Sequence, residues 1–192
     1  MTHDSYPDAY IRGILATCRT IAMVGASAKD NRPSYFAFKY LLERGYRMIP
    51  VNPGLAGGQI LGQTVHARLT DIPEPVDMVD VFRAASAVPA VLDEVLTMTP
   101  RPAVLWLQLG VRDAASAARA ESHGIKVVMD RCPKIEYGRL SSEIGWMGVN
   151  SRTLSSRRPP MPVRGVQRLS LDRVTLAGGT VAGRPREDET GA

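Results

Sequence analysis

Five short apolar runs recur along the first 130 residues, each closed by a turn: TIAMVGA (20–26), YRMIPV (46–51), DMVDVF (77–82), AVLWLQLG (103–110) and IKVVMD (125–130). They are too short for helices, and most positions are apolar rather than alternating, which is the pattern of strands buried on both faces. Helical spacing fills the intervals. SYFAFKYLLERG (34–45) places apolar residues at 35, 38, 41 and 42 and stops at Gly45. AVPAVLDEVLTM (87–98) carries Pro89 near its start, and DAASAARAESHG (113–124) ends at Gly124. A further helix is expected over 8–19. QILGQTVHARLTDIPEPVD (59–77) reads as a short strand or turn region, with DIPEP holding the chain extended. Strands alternating with helices predict an α/β chain: a Rossmann-like open parallel sheet with helices on both faces and right-handed crossovers, in a single domain.

Composition agrees with that class. At 192 residues, 44% hydrophobic and 22% charged, the chain is long enough for one ordinary core. It has no apolar run near the roughly 20 residues that span a bilayer, and MTHDSYPDAYIRG has no secretory pattern. A cytoplasmic location is expected, with no membrane partner. The two cysteines, Cys18 and Cys132, form neither a metal nor a disulfide framework.

The net charge of +5 is uneven. Residues 1–150 carry sixteen Lys/Arg and fifteen Asp/Glu, whereas 151–192 carry eight Arg and four acids. A near-neutral body lacks the basic face of a duplex binder, so no nucleic-acid partner is expected. From 151 onward, Arg, Pro, Ser and Gly replace apolar periodicity. The expected organisation is a body over 1–150 and a basic, Pro/Gly/Arg-rich tail over 151–192 that is flexible unless docked.

In open parallel sheets, ligands collect at the carboxyl ends of the strands. Residues just past each strand therefore form one candidate rim: Gly25, Ala26, Ser27, Lys29 and Arg32; Asn52 and Pro53; Phe82 and Arg83; Gln108, Leu109 and Gly110; then Asp130, Arg131 and Cys132. The Gly-Ala-Ser turn opens a helix, whose N-terminus favours an anion. Ser27 adds a hydroxyl, and Lys29, Arg32 and Arg83 add positive charge suited to several phosphates. Phe82 offers an apolar surface. The turn departs from G-x-G-x-x-G, with only Gly25 in place. Where NAD sites carry an acid after the second strand, Asn52-Pro53 stands instead. A more phosphorylated nucleotide than NAD is expected, and NADP and coenzyme A both fit.

VGASAKDNRPSY, GYRMIPVNPG, ILGQTVHARLTDIPEPVDMVDVFR, VLWLQLGV and VVMDRCPKIEY, in order over about residues 15–140, resemble the small stand-alone CoA-binding proteins of bacteria, the YccU-like group. The same fold forms the CoA-binding domain of succinyl-CoA synthetase α subunits and ADP-forming acyl-CoA synthetases. The resemblance implies that Gly25, Ser27, Lys29 and Arg32 hold the phosphates of CoA. It implies that Asn52 and Pro53 border the nucleotide, that Phe82 and Arg83 line the groove, and that Gln108, Leu109 and Gly110 follow the pantetheine arm. It implies binding of CoA or an acyl-CoA without catalysis. The alternative is an NADP-linked oxidoreductase or an accessory subunit of a CoA ligase. A homo-oligomer or a CoA-using enzyme partner is compatible with either.

Other candidates read as structural. Arg131 would lower the Cys132 pKa if it faced the thiol, and a nearby CoA thiol would permit a mixed disulfide, but packing at the strand end is the favoured role. Cys18, in a helix next to Arg19, is expected to be structural, Trp106 to lie in the core, and Trp146 to cover an edge of the body or an oligomer contact. Asp80, inside a buried strand, requires a partner or a place near the strand end. His66 and His123 lack neighbours for catalysis or metal binding, and the tail arginines 157, 158 and 164 read as solvated.

Overall fold

A computed structural model describes residues 3–141. Trp146, the body boundary at 150 and the tail over 151–192 lie outside the described residues. The main sheet contains β1 (Thr20–Val24), β2 (Arg47–Val51), β5 (Met78–Val81), β6 (Val104–Leu107) and β7 (Lys126–Val128). Its order is β2-β1-β5-β6-β7, with every pairing parallel. The chain steps outward from β1 to β2, then returns to the other side of β1 for β5. That reversal leaves a crevice between the carboxyl ends of β1 and β5, where the two connections diverge.

The register explains why the strands read as continuous apolar runs. Met23, Asp80, Trp106 and Val128 stand abreast on one face, and Ala22, Val79, Leu105 and Val127 on the other. All eight are buried. The second set packs into one cluster with Val88, Leu92 and Val95 of α3 (Val88–Thr97) and Ala117 and Ala120 of α4 (Ala114–Ser122). On the other side, α1 (Asp8–Thr17) and α2 (Pro33–Glu43) both pack against α5 (Pro133–Leu140). Arg12 Nη1 donates to the Leu140 carbonyl at 2.9 Å, tying α1 to α5. Trp106 is fully buried, and its Nε1 donates to the Arg131 carbonyl at 2.8 Å, so the core indole has its partner.

The 59–77 segment has the short strands and turns expected of it, and one helix differs from the reading of the sequence. The 59–77 region contains an antiparallel pair, β3 (Gln59–Ile60) and β4 (Gln63–Thr64), then a 3-10 turn at Leu69–Asp71. His66 bridges to Val51 at the end of β2, so this excursion borders the carboxyl edge. Helix α5 has no counterpart in the sequence reading. It is short and polar, PKIEYGRL, with Gly138 inside it, so no apolar stripe announces it. Pro133 at its first position, the Glu136–Arg139 pair (2.7 Å) and buried Tyr137 and Leu140 explain its stability.

Candidate functional site

The turn after β1 depends on one glycine. Gly25 has φ +85°, and a Cβ there would collide with the Phe82 carbonyl oxygen while meeting the Arg83 Cδ at 3.0 Å. Only glycine allows the exits of β1 and β5 to approach this closely. The Gly25 N–H donates to the Val51 carbonyl at 2.9 Å, extending the β1–β2 ladder. That amide is therefore committed to the sheet, which corrects the expectation that it faces an anion. Asn52 is committed as well. Its Nδ2 donates to the Ala26 carbonyl at 2.8 Å and its Oδ1 accepts from the Gly54 N–H at 2.9 Å. Asn52 thus pins the turn in place, and Ala26 is buried beneath it.

Ser27 Oγ accepts from the Lys29 N–H at 3.1 Å, which leaves its own hydrogen available to donate outward. Arg32 caps α2 with an extended backbone, and Pro33 follows at the first helical position. Gly25, Ser27, Arg32, Pro33, Ser34 and Phe82 enclose a hollow of about 280 Å³. Two more hollows adjoin it. One of about 210 Å³ lies toward β2, walled by Pro53, Leu69 and Val91; it shares Gly25 with the turn hollow and Arg83 with the hollow described next. The other, of about 620 Å³, lies toward β6, walled by Phe36, Gln108, Leu109, Cys132 and Ile135, and shares Phe82 and Pro33 with the turn hollow. Common wall residues set the three side by side, as one row of hollows that forms a groove along the crevice where the strand order reverses.

Of the residues expected at the rim, Gly25, Ser27, Arg32, Pro53, Phe82, Arg83, Gln108, Leu109 and Cys132 line this groove. Lys29, Ala26, Asn52, Gly110, Asp130 and Arg131 do not. The Gly110 N–H donates to Asp130 Oδ1 at 2.8 Å, which braces the loops after β6 and β7. Phe36, Lys134 and Ile135 are wall residues that sequence reasoning missed. Phe36 sits in the α2 pattern, but nothing local says that its face meets the ends of β5 and β6. Lys134 and Ile135 belong to the unrecognised α5.

Two ionisable groups underlie the larger hollow. Asp80 is fully buried, and burial pushes its pKa up to about 7 against the lowering effect of a hydrogen bond from Gln108. Gln108 Nε2 donates to Asp80 Oδ1 at 2.7 Å, and Oδ2 has no partner among the described residues. Burial also raises the Cys132 thiol, with the Asp80 carboxyl adding to the rise and backbone N–H groups opposing it. Arg131 does not activate the thiol: its Nε is 3.7 Å from Glu136 Oε1 and its guanidinium lies over Tyr6. No helix among the described residues is long and apolar enough to cross a membrane, and they contain no metal-competent cluster of His, Cys, Asp or Glu.

Comparison with known proteins adds a family to this geometry. Residues 19–138 match the CoA binding domain family. The chain belongs to that family. It is 35% identical over 129 residues to the uncharacterized protein YneT of Bacillus subtilis, spanning 67% of this chain and 93% of YneT. Over 82 residues it is 38% identical to the alpha subunit of an ADP-forming acetate–CoA ligase of Pyrococcus furiosus, covering 40% of this chain and 17% of that subunit. A solved structure of a Thermus thermophilus protein, cell-free ID.343, superposes with a TM-score of 0.67 at 41% identity, over 70% of this chain and 99% of that one. The CoA-binding domain fold is therefore the α/β arrangement described above, and the matched residues contain the whole of the groove.

Proposed function

We propose that the groove binds coenzyme A or an acyl-CoA and holds it without transforming it. The observation that carries the reading is the sharing of walls by the three hollows, which gives one extended ligand a continuous path. The adenosine end lies on the β2 side, against Pro53 and Leu69. The phosphates lie at the turn, where the Ser27 hydroxyl, the Arg32 guanidinium and the N-terminus of α2 supply donors and charge. The pantetheine arm runs past Phe82 toward Gln108 and Leu109. Membership of the CoA binding domain family supports the choice of CoA over NADP. Holding without reaction is supported by the Cys132 thiol at the groove, whose pKa burial raises, away from the nucleophilic thiolate. Isothermal titration of protein stripped of endogenous ligand tests the proposal. Saturable heat is expected with CoA and acetyl-CoA, and weaker binding with NADPH. Silence with both CoA ligands would overturn it.

The match to a ligase alpha subunit favours a second role for the same site, that of presenting CoA to a separate CoA-using enzyme. A nucleotide-binding subunit that co-purifies with the chain, and whose acyl-CoA synthesis depends on it, is the expected sign.

A further inference from the structure

We propose that the large hollow receives the apolar acyl chain of an acyl-CoA thioester, so that chains longer than acetyl bind more tightly than free CoA. The inference rests on the CoA reading above and deepens it. Phe36, Leu109 and Ile135 are 52%, 57% and 48% exposed, and they are three of the four large hydrophobic side chains exposed among the described residues. All three stand at one hollow. They come from α2, the exit of β6 and α5, so the fold, not a local apolar run, assembles them. A patch of this kind marks a surface that something apolar covers.

The chemistry of the wall selects what covers it. Among the described residues, Arg83, Gln108 and Lys134 supply its polar side chains, beside the Cys132 thiol. The Gln108 amide nitrogen is already committed to Asp80. Lys134 Nζ lies about as near the Phe36 and Tyr40 rings as a cation–π contact requires, at 6.0 and 5.8 Å. Arg83 reaches back over Gly25. The pantetheine arm enters past Phe82 and meets the Gln108 side chain, and beyond that point this interior offers few partners to a polar group. An alkyl chain needs none. A volume of about 620 Å³ exceeds what a thiol terminus fills. The hollow opens through Phe82 and Pro33 onto the phosphate turn, so a ligand anchored there delivers its thioester end to this wall.

Equilibrium binding on the full chain, stripped of ligand, with CoA and its acetyl, butanoyl, hexanoyl, octanoyl and dodecanoyl thioesters is the test. The expected result is affinity rising by up to about fourfold per methylene, the equivalent of about 0.8 kcal/mol per buried CH₂, until the hollow is full. Phe36→Ser and Ile135→Ser change exposed positions, and the expected effect of each is a smaller gain per methylene. Equal affinity across the series, with CoA still bound, would overturn the acyl site while leaving the CoA reading intact. A chain-length gain unchanged in both variants would overturn the assignment to this wall. No binding of any member would overturn both.

Discussion

Gln108 Nε2 donates to Asp80 Oδ1 across 2.7 Å in the interior of the sheet, and the second Asp80 oxygen has no partner among the described residues. A carboxylate so placed is costly, and its protonated form much less so. Asp80 has a pKa raised from 3.8 to about 7. The unfolded chain releases this proton near pH 4, whereas the folded chain keeps it to about pH 7. The stability that Asp80 contributes is therefore complete below about pH 4 and is lost as pH rises toward 7. Asp80→Asn is expected to match the wild type below about pH 4 and to exceed it by a few kcal/mol at most at pH 8, the upper bound set by about three pKa units. Urea unfolding of both proteins at several pH values checks this. A difference that does not vary with pH would contradict it.

Gly25 and Gly57 separate two reasons for glycine. Both have positive φ, +85° and +80°, but a Cβ on Gly57 meets nothing within 4 Å, whereas one on Gly25 collides with the Phe82 carbonyl. Gly57→Ala is expected to cost about 1–2 kcal/mol from backbone strain alone. Gly25→Ala should cost about 1–3 kcal/mol more through overpacking and should weaken CoA as the β1 and β5 exits separate. Chemical denaturation of the pair, followed by CoA titration of whatever folds, provides the comparison.

Arg32 lines the turn hollow and Lys29 does not. Arg32→Ala is expected to weaken CoA about 10- to 100-fold, the scale of a lost charge-assisted hydrogen bond. Lys29→Ala, which removes only a screened surface charge, should lower affinity severalfold at low salt and hardly at all at 0.5 M salt. Titrations with CoA and dephospho-CoA show whether either side chain reads the 3′-phosphate. Equal losses for both ligands mean that it does not.

An acid at position 52 would be expected to favour a free ribose, as in NAD sites, but the Asn52 amide is occupied. Asn52→Asp keeps an acceptor for Gly54 and turns a carboxylate oxygen toward the Ala26 carbonyl, where the amide now donates. The expected outcome is a loss of about 1–3 kcal/mol in stability from two opposed acceptors, with weaker CoA and no gain in NAD binding. Thermal melts alongside NAD and CoA titrations check it. A gain in NAD affinity without loss of stability would contradict the pinning role.

The parallel sheet was legible because strands covered on both faces need unbroken apolar runs, and β1, β5 and β6 have them. The rim could be read because it requires only strand ends and topology. What each rim residue does was less accessible. Asn52 and the Gly25 amide looked available to a ligand because their partners, Ala26 and Val51, are set by tertiary approach and not by sequence neighbours. The acyl wall was hidden for a related reason. Helix α5 has a weak apolar pattern, and Phe36 becomes part of a site only when α2 lies beside the exits of β5 and β6. Cys132 was read as a packed residue and it is buried, while the neighbouring Arg131 turns to Glu136 and Tyr6.

Phe82 and Arg83 are consecutive, yet between them they border all three hollows. Head-group preference and tail preference are consequently not modular in this fold. Re-engineering the dipeptide for another nucleotide would also reshape the room left for the acyl end, so selectivity for the two ends of the ligand must change together.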